Sequence, residues 1–203
     1  VLIALRFSPD VVVGGGGSSD FPTTTSAFDR TYNDLHDHDI YVSKLNPSGT
    51  ALAASTFLGG NGSEWPDGAT MDASGNVVLA GQTSSTDFPT TVGAYDRTLS
   101  PGRDGFVAKL SSNLASLAGS TFLGGTADEV PESVVVDSSG NVLVTGGTAS
   151  SDFPTTAGAY DTSFNGGDYD GFVAQLNSGL SSLLVSTFLG GSVGLNATDS
   201  GQG

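Results

Sequence analysis

Ser120–Asp161, STFLGGTADEVPESVVVDSSGNVLVTGGTASSDFPTTAGAYD, holds nearly every landmark of this chain, and most of them recur elsewhere in it. STFLGG stands at Ser55–Gly60, Ser120–Gly125 and Ser186–Gly191, at intervals of 65 and 66 residues. DFPTT stands at Asp20–Thr24, Asp87–Thr91 and Asp152–Thr156, at intervals of 67 and 65. Between each DFPTT and the next STFLGG lies a short apolar run, DIYVSKL, DGFVAKL or DGFVAQL. Self-similarity at a fixed period is the mark of a repeat array. The chain divides into a divergent first unit (1–60), a second (61–125), a third (126–191) and a tail (192–203) that starts a further unit.

Within a unit the pattern is that of short strands. Asp72–Asn76 and Asp137–Asn141 are turn sequences, with a Gly for positive φ and Asp and Asn side chains to bond nearby amides. They predict a hairpin, followed by strands over Asn76–Gln82 and Asn141–Gly147. In the first unit Ile3–Phe7 and Val11–Val13 flank Ser8-Pro9-Asp10 in the same way. A connection of roughly twenty residues follows, long for a structureless loop in a compact domain. Its aromatics, Phe21, Phe88 and Phe153 with Phe28, Tyr95 and Tyr160, are expected to be buried against their own sheet and so pin it. The third strand is predicted at Ile40–Leu45, Phe106–Leu110 and Phe172–Leu176, and the fourth ends in STFLGG. No segment sustains a 3.6-residue apolar period. Four strands per unit predict an all-β, β-propeller-type array of about three blades. A β-solenoid is the alternative, although its coils are usually shorter.

The set STFLGG, DSSGN-VLVTG, SSDFPTT and DGFVAQL, in fixed order from about Val11 to Gly191, resembles the bacterial SBBP family of seven-bladed β-propeller repeats. The resemblance implies a propeller blade in a large secreted or cell-surface protein of bacterial type. It implies neither an enzyme nor a defined ligand. The first unit departs from the pattern at Phe7–Asp10, where DSSGN is missing.

Composition narrows the partners. Six Lys+Arg against 21 Asp+Glu leave a formal charge of −15. Such a field repels phosphate backbones and anionic lipid, so neither nucleic acid nor membrane insertion is expected. Without cysteine there is no disulfide framework, thiolate nucleophile or Cys-based zinc site. The longest wholly apolar run, Val1–Leu5, is far short of a membrane-spanning helix. The opening VLIALRFSPDVVVGG reads like the interior of a repeat, which points to a trimmed product or a segment of something longer.

The repeats also sort candidate sites. A residue present in every unit serves to build a unit, because most binding sites occur once. Asp20, Asp87 and Asp152, then Asp39, Asp104 and Asp170, and the Gly pairs 59–60, 124–125 and 190–191 fall on that side. Among unshared residues, His36 and His38 with Asp34, Asp37 and Asp39 could suit a transition metal, or be solvated loop groups. Asn165–Gly171, with Asp168 and Asp170, has the oxygens of a calcium loop but not the EF-hand frame; a polar turn is the rival reading. Trp65 could plug a junction between units or stack on a sugar. Glu64, Glu129 and Glu132 could supply paired glycosidase carboxylates, yet nothing in the sequence fixes their separation. No histidine stands in a recognisable triad order with a serine, and Asn61-Gly-Ser63 and Asn196-Ala-Thr198 match the glycosylation sequon.

No catalytic, cofactor-binding or metal-ligating residue is assigned on these grounds, and no cofactor is expected beyond the possibility of Ca2+. The expectation is a non-enzymatic extracellular or surface scaffold. A glycan- or calcium-dependent adhesion module and a propeller hydrolase or lyase are the alternatives. Three blades leave two faces bare, so further blades of the same protein or other copies are the expected partners. The possible outcomes are a longer propeller, a ring of copies, or a filament using Val1–Phe7 as an added strand.

Overall fold

In the computed structural model the described residues are 2–6, 11–16, 18–33 and 38–191. They contain twelve strands and no helix. The strands are β1 (Leu2–Arg6), β2 (Val11–Gly16), β3 (Ile40–Leu45), β4 (Leu52–Leu58), β5 (Glu64–Met71), β6 (Val77–Thr83), β7 (Asp104–Leu110), β8 (Leu117–Leu123), β9 (Glu129–Val136), β10 (Val142–Thr148), β11 (Asp170–Leu176) and β12 (Leu183–Phe188). They form three four-stranded antiparallel meanders in chain order, β1–β4, β5–β8 and β9–β12. The Asp-Gly-Asn turns close as read from the sequence: Asp72 Oδ1 accepts the Ser74 and Asn76 amides, and Gly75 has φ +77°. In the first strands of the second and third sheets a bulge leaves Asp67 and Glu132 outside the register, and these two strands carry Pro66 and Pro131 beside it.

The sheets stack face to face and share their cores. Ile40, Val42, Ala54 and Leu58 of the first sheet pack on Val77, Leu79 and Phe106 of the second. Val78, Ala80, Val107 and Leu123, on the opposite face of the second sheet, pack on Val142, Val144, Phe172 and Phe188 of the third. The first strands gather on one side of the array, β9 against β5 and β6, and β5 against β1 and β2.

The two repeated motifs are each other's partners. The Thr24 amide bonds the Ser55 carbonyl, Thr91 that of Ser120, and Thr156 that of Ser186. The hydroxyls of Thr56, Thr121 and Thr187 accept the amides of Asp29, Asp96 and Asp161 and donate to the carbonyls of the same residues. The long connection is therefore laced along the fourth strand, which satisfies the backbone groups that a free loop would leave to water.

Its aromatics divide into two kinds. Phe88 and Phe153 are buried against their own sheets, Phe153 with its ring 4.5 Å from Phe172 and 6.1 Å from Phe188. The expectation that Tyr160 is likewise buried is wrong: it is 86% exposed. Its counterparts explain why. Phe28 packs into the core between the first and second sheets, and its amide bonds the Leu114 carbonyl of the second. Tyr95 packs into the core between the second and third, its amide bonding the Leu180 carbonyl. This second aromatic is a latch onto the following sheet, and among the described residues no sheet follows Tyr160.

Candidate functional site at the sheet junctions

The fully buried carboxyl groups lie where one sheet hands over to the next. Asp104 opens β7 and Glu129 opens β9, and neither is accessible to solvent. A Cβ placed on Gly124 would overlap Glu129 Oε2 and lie 3.0 Å from Asp104 Oδ1, so the two carboxyls converge on the glycine between them. That approach is the reason for the first Gly of STFLGG, because any side chain would occupy the carboxyls' place. Glu129 Oε1 accepts the Thr148 hydroxyl at 2.7 Å, and Oε2 accepts the Gly125 amide at 3.1 Å. Asp104 Oδ2 accepts the Ser100 amide at 3.0 Å, while Oδ1 is buried with no hydrogen-bond donor.

The same arrangement stands one junction earlier. Asp39 Oδ1 and Glu64 Oε2 converge on Gly59, both within the space that a Cβ there would fill. Glu64 Oε1 accepts the hydroxyls of Thr83, at 2.6 Å, and Ser85. At the third sheet Asp170 and Gly190 are in place, and Asp170 Oδ1 is again buried without a donor. In sequence the position corresponding to Glu64 and Glu129 is Leu195, outside the described residues.

Burial dominates the electrostatics. It raises Glu64 and Glu129 to about 7, against the opposing hydrogen bonds from Ser85 and Thr83 or Ser150 and Thr148, with the neighbouring Asp39 or Asp104 charge adding to the rise. Burial likewise raises Asp104 to about 6. A desolvated carboxylate next to another carboxylate resists ionisation on both counts.

Further ties cross each junction. Lys44 Nζ of the first sheet donates to the carbonyls of Gly75 and Ser112 in the second, at 3.1 and 2.7 Å. Lys109 Nζ reaches the Ser178 carbonyl of the third at 2.7 Å. The matching residue of the third sheet is Gln175, which turns instead to Asp137 of its own sheet. Leu114 and Leu180 hold φ +56° and are fully buried in the two shared cores. The first unit has Gly49 at that place.

The other candidates are scattered by the fold. Asp87 and Asp152 accept the backbone amides of Asn61 and Thr126, on the segments that lead into their own sheets. Glu64 and Glu129 belong to different junctions, and Glu132 is exposed on the β9 bulge. Burial first, and the Glu132 charge besides, raise the pKa of Asp67 on the matching bulge of β5. Trp65 is partly buried, with the Arg103 guanidinium 5.5 Å from its ring centre and Arg103 in turn bonded to Asp128 at 2.8 Å. In Asn165–Gly171 the Asn165 amide bonds Asp170 while Asp168 is exposed, so the oxygens do not converge. His38 is exposed; His36, Asp34 and Asp37 lie outside the described residues. Among the described residues no three His, Cys, Asp or Glu side chains group as a metal site.

Neither Asp104 nor Leu180 stands out as a site in the sequence. Asp104 is legible there as a shared, structural residue, but its meeting with Glu129 depends on how successive sheets pack. In comparison with known proteins, no family model and no curated protein matches the chain.

Proposed function

We propose that this chain is a non-enzymatic scaffold of propeller-type blades, of the SBBP kind and placed outside a bacterial-type cell, whose working surface is the outer face of the third sheet. The observation that carries this reading is the contrast between two equivalent faces. On the second sheet Val78, Val107 and Leu123 are fully buried by the third sheet. Their counterparts Leu143 and Val173 are partly open, and Leu189 is 59% exposed, beside Val135 and Val185 at 50% and 48%. An apolar face of this kind, in a unit whose Tyr160 is also exposed, suits a further blade of the same protein or of another copy. The gathered first strands and the self-contained meanders support a propeller over a solenoid. The secreted or surface location rests on the motif resemblance alone.

The test is sedimentation of the chain over a range of concentrations. We expect self-association in the micromolar range, lost in Val185→Asp/Leu189→Asp, whose substitutions fall on exposed positions and leave the fold intact. A wild-type chain that is monomeric throughout and binds no apolar dye contradicts the reading.

A further inference from the structure

We propose that the Asp104–Glu129 pair is a proton-binding site, in which neutral Asp104 donates Oδ1–H to Glu129 Oε2 and so locks the second sheet to the third. Of the four carboxylate oxygens at this junction, three accept hydrogen bonds from Ser100, Thr148 and Gly125, and only Asp104 Oδ1 has no donor. A buried acceptor left without a donor destabilises the fold by its uncompensated loss of water. Two facing carboxylates in a desolvated site repel as well. One proton removes both costs, because it turns the orphan oxygen into a donor aimed at its neighbour.

A calcium ion fits less well. It takes about six to eight oxygen ligands, and all the oxygens of Glu129 already face hydroxyl or amide hydrogens. The Asp39–Glu64 pair repeats the convergence on its glycine, so the site belongs to the junction and not to one unit.

Other charges near the pair do not supply the missing proton. Asp96, from the long connection, adds to the rise of Asp104. Asp152, from the third unit's connection, lies beside Gly125 and is committed to the Thr126 amide. Arg103, the neighbouring cation, is engaged by Asp128. The proton therefore belongs to the pair as a unit. A carboxyl raised on folding binds its proton more tightly in the folded chain. Its stabilisation is complete below the unfolded carboxyl range, about 4, and is lost as pH rises through about 6 and about 7. The junction is an acid-tightened clasp.

The experiment is urea unfolding of the full chain between pH 5 and pH 8, with infrared spectra of the wild type at pH 6. The unfolding constant of the wild type should rise with pH by about tenfold per unit for each proton released. In Asp104→Asn an amide N–H takes the place of the O–H, so about one proton should vanish from that slope without loss of stability at pH 8. Glu129→Gln should remove the same proton from the slope, at some cost in stability at every pH, because its amide nitrogen cannot accept the Gly125 or Thr148 hydrogen that the replaced oxygen held. The folded wild type should show a protonated-carboxyl band that unfolding abolishes. An unchanged slope in both variants overturns the proposal, as does absence of the band, which needs no variant to fold. Added Ca2+ that stabilises the wild type at pH 8, but not Asp104→Asn, also overturns it in favour of a cation.

Discussion

Phe172→Ala is expected to lower the stability of the chain by about 3–5 kcal/mol, the usual cost of emptying a buried phenylalanine site. Phe172 is 2% exposed, lies in the core shared by the second and third sheets and supports Phe153, which pins the long connection. The loss should therefore reach the connection as well as the core. Tyr160→Ala, in the same unit, should change stability by no more than about 0.5 kcal/mol, as surface substitutions usually do. Chemical denaturation of the two variants reads both values. Similar losses for the two would mean that Tyr160 is covered under the conditions of the measurement.

Leu180→Ala is expected to cost about 2–5 kcal/mol, as for other buried leucines, although this residue lies in a turn. Its side chain fills the core between the second and third sheets, and its carbonyl holds the Tyr95 latch. The left-handed conformation at φ +56° adds a distinguishing feature. A side chain there carries strain on the order of 1–2 kcal/mol that glycine avoids. Leu180→Gly should therefore be less damaging than Leu180→Ala by about 1 kcal/mol, the reverse of the order in an ordinary strand or helix. Denaturation midpoints of the two variants give the order directly. Alanine proving the milder change would show that the turn is not held in this conformation.

Much of the architecture is legible in the sequence because each unit repeats its own instructions. The Asp-Gly-Asn turns specify their hairpins through bonds within five residues, and alternation in DGFVAKL and DGFVAQL specifies the third strand. The first strands are harder to place, since Pro66-Asp67-Gly68 breaks the alternation at the bulge. The latches escape a sequence reading for a different reason. Nothing local separates Tyr95 from Tyr160; one meets a following sheet and the other does not. The carboxyl pair is likewise set by packing, since Asp104 and Glu129 open strands of different sheets. Leu180 is hidden because its counterpart Gly49 reads as an ordinary turn residue, and only the third dimension turns that position into a plug.

Each sheet draws its stability from the neighbours that cover its two faces, as units do in linear repeat arrays. Both faces of β6 and β7 are buried, whereas β10 and β11 are buried on one face and partly open on the other. Native-state amide hydrogen exchange, read strand by strand, puts this dependence on neighbours to the test. Amides of β6 and β7 should exchange slowest, at the rate of global unfolding, and those of β10 and β11 faster, through opening of the third sheet alone. Equal protection of β10–β11 and β6–β7 would contradict the dependence.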